Sequence, residues 1–385
     1  MAAGTVVSYR GRYFGAVDGA SPTEVWYAER MDELAREEVA RGRSVPIACI
    51  NWPTTDPLAH PSEPNPTEDL VALDANHVAA TAAYPAGTFA SYHAYPYYPD
   101  FLRYTPAYDQ TVVDGRPDPY VGYLTALEAH HAEAGLATMV TEFGVPSSIG
   151  MAHAGPLGRD QGAHTEPEAL ALDAEMMLAI HDAGLAGAFV FAWTDEWFKR
   201  TWNIIPRHDA TDTERWALSH DPLTNEQWFG VLANDAQRIG EPVVARGKGG
   251  IRRLAVGHDA SFVYLDTVFD RPPTTPVVVG ADVLGDGGDD VEVIVDPAGR
   301  TARAYVRRDL DPVRLDGLGV AALPEEDRPG WDLQRLSTNR SYWGRPAEFQ
   351  DVGDLIEGDW DPDRPDYDSM ATWRLDGTTL RLRIP

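Results

Sequence analysis

The sequence predicts two domains of different class: an α/β domain with a parallel, barrel-type sheet, then an all-β domain built as a sandwich. Three observations carry this. Between Ser21 and Trp193, amphipathic helical stripes alternate with short runs that are apolar throughout, as strands covered on both faces are. The chemistry-bearing residues sit just after those runs, at the C-terminal ends where a parallel barrel carries its active face. Beyond the Gly-rich stretch ending at Gly250, the apolar period changes to two, with turn signals between runs. A length of 385 residues suits this division, at roughly 150 residues per domain.

The first helix opens with Ser21-Pro22-Thr23-Glu24, a capping box with proline at the first helical position. Val25, Ala28, Met31, Ala35 and Val39 give its stripe, and Gly42 ends it. A strand, Val45 to Trp52, follows. A second helix is expected from Thr67 to Ala83, after a Pro-rich loop, with its strand at Thr88 to Tyr95. A third helix, Pro119 to Ala134, stops at Gly135 and leads into Ala137-Thr-Met-Val-Thr-Glu-Phe-Gly144. The fourth begins at Thr165-Glu-Pro-Glu168, a second capping box, stops at Gly184, and leads into Gly187 to Trp193. A last amphipathic helix is expected from Thr224 to Gln237. A doubly wound sheet is the competing architecture, but it normally carries a Gly-rich turn after its first strand, and none is present here. The expected domains are 1–240, a linker at 241–252, and the sandwich at 253–385. Sandwich strands are expected at Ser261–Phe269, Thr275–Asp282, Val291–Val295, Thr301–Val306 and Thr379–Ile384. The last run stops in mid-pattern, so a truncated sandwich is expected.

Composition removes several function classes. A net charge of −28 argues against nucleic acid or anionic membrane as partner. No apolar run reaches the length of a membrane span. The opening residues carry no basic stretch followed by an apolar core, so no signal peptide is read there. A soluble protein is expected, with extracellular or cell-surface placement if a further segment lies upstream. Cys49, the single cysteine, excludes an internal disulfide and reads as a small buried hydrophobe. The acidic loop Asp286–Asp290 lacks the ligand spacing of a calcium loop. His130, His131 and His153 show no metal-ligand spacing either, so neither metal nor cofactor is expected.

The chemistry centres on Glu142. A lone carboxylate behind an apolar strand is costly unless its charge is paired or used. His93 and Tyr95 alternate on one strand and so face the same side. Trp193, at the end of the fourth strand, and Trp52, at the end of the first, offer faces for the apolar side of a sugar ring. A core role competes for each. Asn51 ends the first strand. Asp195 and Glu196 follow the fourth, where they would bind hydroxyls or supply an acid, against a solvated-loop role. Asp56 and His60, in the Pro-rich loop, would overhang the mouth.

Thr141-Glu142-Phe143-Gly144, Tyr92-His93-Ala94-Tyr95-Pro96 and Trp193, in that order and spacing, resemble the clan A glycoside hydrolases. The resemblance covers about Arg43 to Asp235. It implies a (β/α)₈ TIM barrel represented by its C-terminal half, strands five to eight. Glu142 then becomes the nucleophile of a retaining enzyme acting on a β-linked glycan or glycoside. His93, Tyr95, Trp193, Asn51, Trp52, Asp195 and Glu196 become its candidate substrate-binding residues. The second domain is faintly similar to carbohydrate-binding modules. In the family the acid/base Glu, usually preceded by Asn, ends strand four. No Asn-Glu pair precedes Val45; the single one is Asn225-Glu226. Four strands cannot close an eight-stranded barrel. A fragment lacking its acid/base is therefore expected. The alternative is a non-catalytic carbohydrate-binding or cell-surface protein built on the same barrel.

Overall fold

The computed structural model describes residues 8–65, 70–205, 220–234, 242–317, 319–324, 328–339 and 345–385. The chain forms two compact units. Met1–Gly144, Gly155–Arg159 and Leu172–Phe191 make the first, and Val145–Ala154, Asp160–Ala171 and Ala192–Pro385 the second.

In the first unit, β1 (Phe14–Ala16) leads to α1 (Pro22–Ala40). The capping box at Ser21 forms: Glu24 N–H donates to Ser21 Oγ at 3.3 Å, and Ser21 N–H to Glu24 Oε2 at 2.6 Å. Gly42 takes φ +72°, a turn conformation that favours glycine. Val25, Ala28, Met31 and Ala35 are buried, whereas Val39 is exposed. Next come β2 (Ile50–Asn51), β3 (Val78–Ala80), β4 (Ala90–His93), the short helix α2 (Phe101–Tyr104) and a small hairpin of β5 (Val112–Val113) with β6 (Arg116–Pro117). Then follow α3 (Pro119–Ala132), β7 (Thr138–Phe143), α4 (Glu166–Asp182) and β8 (Gly187–Val190). α4 lies in the first unit from Leu172 on.

Four strands form one parallel sheet in the order β2-β4-β7-β8. Among the described residues this sheet is open, and its edge strands each pair on one side only. The expected helix from Thr67 to Ala83 does not form over 70–83; residues 66–69 lie outside the described ones. Asp74 caps a single tight turn at Ala75–His77 instead, and Val78–Ala80 pairs antiparallel with Phe14–Ala16. Pairing with β1 overrides the helical propensity of this Ala-rich stretch. α1, β1 and β3 close a core with Ile47 and Tyr84 that includes Cys49, whose thiol burial pushes up to about 11.

The second unit is dominated by antiparallel sheet. Its strands are β9 (Val243–Ala245), β10 (Ile251–His258), β11 (Val263–Phe269), β12 (Val277–Ala281), β13 (Val291–Asp296) and β14 (Thr301–Arg307). β15 (Trp331–Leu333), β16 (Leu336–Asn339), β17 (Glu348–Gln350), β18 (Asp354–Leu355), β19 (Trp373–Asp376) and β20 (Thr379–Ile384) complete them. One sheet runs β19-β20-β11-β10-β9; the other runs β12-β13-β14-β15, with β18 also on β14. Val293, Val295, Ala302 and Ala304 from one sheet and Trp373, Leu380 and Leu382 from the other share one core, so the sheets pack face to face. The expected linker at 241–252 contains β9 and the first residues of β10, and β9 pairs antiparallel with Leu254–Val256 of β10. The expected helix from Thr224 is a single 3₁₀ turn, Asn225–Gln227, followed by irregular backbone to Asn234; residues 235–237 lie outside the described ones. Gly230 and Asn234 are captured there by Asp195, which competes with helix continuation. In the acidic hairpin, Asp282 accepts the N–H groups of Gly285, Asp286 and Gly287, a turn that uses the carboxylate internally.

Candidate active site

The C-terminal ends of β2, β4 and β7 assemble one cluster in the first unit. The β4/β7 register sets His93 opposite Glu142, after an irregularity between Tyr92 and His93 that re-aims the strand. Glu142 is partly open to solvent, with 30% of its side chain accessible. Two groups meet its Oε2: the Tyr95 hydroxyl donates at 3.0 Å, and His93 Nδ1 lies at 3.0 Å. Both contacts fix its rotation. The Trp52 ring centroid is 5.9 Å from that of His93, tilted by 44°, and Trp52 is exposed. A solvent-accessible carboxylate in a fixed rotamer, with an exposed indole beside its histidine partner, can meet a ligand that has an apolar face.

Asn51 is brought near this cluster but is fully engaged within the fold. Its Nδ2 donates to Leu73 O at 2.7 Å, and its Oδ1 accepts from Trp52 N–H and the Thr55 hydroxyl. It positions Trp52. Asp56 and His60, expected to overhang the mouth, are instead fully buried. His60 Nε2 lies 3.1 Å from both Asp56 oxygens, Tyr123 donates to Asp56 at 2.8 Å, and His60 stacks on Phe101 at 3.6 Å. Asp56 is a carboxyl pushed up by burial, which its hydrogen-bond donors only partly offset.

From Ala192 on, the residues after β8 belong to the second unit. Trp193 is exposed there. Asp195 is buried: its oxygens accept Gly230 N–H and Asn234 N–H, each at 2.9 Å, so it clamps a loop. Glu196 pairs with Lys199 at 2.7 Å, and Lys199 reaches Glu226 at 3.7 Å. Burial pushes the Glu226 carboxyl up.

Under the cluster runs a network that the sequence reading missed. His131 is wholly buried; its Nε2 meets the Tyr92 hydroxyl and its Nδ1 meets Asn76 Oδ1, each at 2.8 Å. Asp74, His130 and His131 offer three potential metal-ligand atoms within 4.8 Å of one another. Both His131 nitrogens are already bonded, however, and His130 Nε2 is held by Asp74 at 2.9 Å. The set is a hydrogen-bond network that anchors β4 to α3. The signal available in sequence was the adjacent His130-His131 pair on an otherwise apolar helix.

Burial, reinforced by His130, pushes His131 down to about 4. The unfolded chain takes up this proton near pH 6.5, whereas the folded chain refuses it until about 4. The His131 contribution to stability is therefore complete above about pH 6.5 and lost as pH falls towards about 4. Denaturant titrations of the wild type and His131→Asn across that window should show the wild type losing more stability. Parallel losses would contradict this assignment.

No protein family, curated protein or solved structure matches the chain. Among the described residues, no helix is long and apolar enough to cross a membrane.

Proposed function

We propose that Glu142 is the nucleophile of a retaining O-glycosidase acting on a β-linked glycan or glycoside. In this reading the sheet β2-β4-β7-β8 corresponds to strands five to eight of a (β/α)₈ barrel, followed by a sandwich of carbohydrate-binding type. The single observation that carries it is the solvent-open Glu142 carboxylate at the C-terminal end of a parallel strand, gripped on one oxygen by Tyr95 and His93. Such a carboxylate attacks the anomeric carbon and leaves as water cleaves the ester, while a second carboxyl, about 5–5.5 Å away, serves as acid and then base. Trp52 is placed to lie against the sugar. Four strands do not close a barrel, so the proposal requires the remaining strands, and the acid/base, from outside the described residues.

The test bypasses the acid/base. A dinitrophenyl β-glycoside fluorinated at the carbon next to the anomeric centre has a leaving group that departs without protonation, and its fluorine slows hydrolysis of the glycosyl ester. Across glucosyl, galactosyl, mannosyl and xylosyl versions, one should release a stoichiometric burst of phenolate and leave a sugar on the peptide that contains Glu142, read by mass spectrometry. Glycan binding with no burst and no label would favour the non-catalytic carbohydrate-binding alternative.

A further inference from the structure

The second unit contains a cleft of about 370 Å³ that the reading of Glu142 does not use. Small-molecule sites run from roughly 300 to 1,000 Å³. Its walls are aromatic: Trp228, Phe262, Trp360 and Tyr367 all line it. Its floor holds Arg383, a cation only 7% exposed. Arg383 Nε donates to Ala371 O and Nη2 to Ser369 O, and the guanidinium lies over Phe262 at 4.5 Å and Trp360 at 5.1 Å. Among the described residues, Nη1 has no hydrogen-bond acceptor and the group has no carboxylate partner. That nitrogen is free to serve a ligand.

Other lining residues also carry polar atoms without a partner. The Trp360 indole N–H and the Asn234 side-chain oxygen have no partner among the described residues, although Asn234 Nδ2 is held by Asp195 O at 2.9 Å. Glu166 accepts from Tyr367 through Oε2 at 2.9 Å, and its Oε1 accepts from no described group. The residues lining the cleft thus carry two unpartnered donors and two unpartnered acceptors beside its aromatic walls. The frame holding them is rigid. Trp228 is pinned by its indole N–H on Asp221 O at 2.9 Å and by the His220 ring, 5.8 Å away and nearly perpendicular. Asp259 is fixed by Ser261 N–H, Phe262 N–H and the Tyr264 hydroxyl.

Charge selects among ligands. Two carboxylates, Glu166 and Asp259, line the cleft against one guanidinium, which disfavours an anion. A wholly apolar ligand would leave the open donors and acceptors unpaired. A molecule with an apolar ring face and several hydroxyls, each able to donate and accept, satisfies both conditions. We propose that this cleft binds a neutral glycosyl unit, with the ring against Trp228 and its hydroxyls on Arg383 Nη1, the Trp360 indole N–H, Asn234 and Glu166. The choice of a glycosyl ligand leans on the reading of the first unit, but the site does not involve Glu142.

The full-length chain is titrated calorimetrically with cellotetraose, laminaritetraose, xylotetraose and mannotetraose. One of these is expected to bind saturably in the millimolar range or tighter. Trp228→Ala should weaken it by about fivefold or more through loss of the ring contact. Trp360→Phe, which keeps the ring and removes only the N–H, should weaken it by roughly threefold or more. Both variants should keep the near-ultraviolet circular dichroism of the wild type and its rate on a dinitrophenyl glycoside. Glu142→Gln should keep the tetrasaccharide affinity, which separates failure of this site from failure of the nucleophile. Absence of saturable binding by all four sugars, or affinity unchanged in both tryptophan variants, would overturn the proposal. So would loss of affinity in Glu142→Gln alone.

Discussion

Glu142→Gln is expected to lower turnover of an activated aryl glycoside by about a thousandfold or more while leaving folding intact. The amide keeps the shape and one acceptor oxygen, so Tyr95 retains a partner, but it cannot form the glycosyl ester. With 30% of the side chain accessible, the exchange leaves no buried charge, and stability should move by less than about 1 kcal/mol. Glu142→Ala sharpens the test. It opens room beside Tyr95 and His93 for a small external nucleophile. With azide present, this variant should regain part of the rate and give a glycosyl azide of inverted anomeric configuration, because displacement then occurs once, not twice. Undiminished hydrolysis by Glu142→Gln, or an azide product of retained configuration, would remove Glu142 from the nucleophile's role. A Tyr95→Phe variant should show a smaller loss, since His93 still holds the same oxygen.

What was legible in the chain was local. Glu142 stood out because β7 is short and apolar with a carboxylate near its end. The helices at Pro22 and Pro119 and the one beginning at Glu166 each carry a cap that folds within a few residues: Glu24 on Ser21, Val121 N–H on Asp118, and Glu168 on Thr165. Strand alternation after Gly250 was equally local: β11, β12 and β20 fall within the expected runs, and β13 and β14 overrun theirs by one residue each. Non-local pairing was misread. Val78–Ala80 resembles helix by composition and becomes strand because Phe14–Ala16, far away in sequence, supplies its partner. Val243–Ala245 looked like linker because a Gly-rich run follows it, yet it completes the sheet edge on β10. The cleft residues were invisible for the same reason: Glu166, Trp228, Phe262, Trp360 and Arg383 meet only after the sandwich forms. Asp32 could have been found. It interrupts the stripe Ala28, Met31, Ala35 on its buried side, where a free carboxylate would not be tolerated.

Asp32→Ala should therefore be among the most destabilising single changes in the chain, at about 3–5 kcal/mol. Asp32 is 1% exposed. Its Oδ1 accepts the Tyr13 N–H at 2.6 Å and the Phe14 N–H at 3.0 Å, while its Oδ2 accepts the Tyr9 hydroxyl at 3.2 Å and pairs with Arg36 at 2.8 Å. Removing it leaves two main-chain donors stranded beside the core that holds β1 on α1. Gly11 reinforces the arrangement: a Cβ there would sit 2.4 Å from Asp32 Cγ, so Gly11→Ala should destabilise the same corner. Asp32→Asn should cost less, because its oxygen still serves both main-chain N–H groups, while the Tyr9 hydroxyl and Arg36 lose their acceptor. Burial alone would raise the Asp32 carboxyl, but the two N–H groups, Tyr9 and Arg36 together outweigh it and hold it below the usual range. A carboxyl lowered on folding stabilises fully above its unfolded value, near 3.8, and loses that contribution as pH drops below it. The gap in denaturant midpoint between wild type and Asp32→Asn should accordingly be wide at neutral pH and narrow as the pH falls below 3.8. A midpoint unmoved by Asp32→Ala would mean that β1 is not anchored through this carboxylate, and a gap that widens in acid would reverse the sign of its titration.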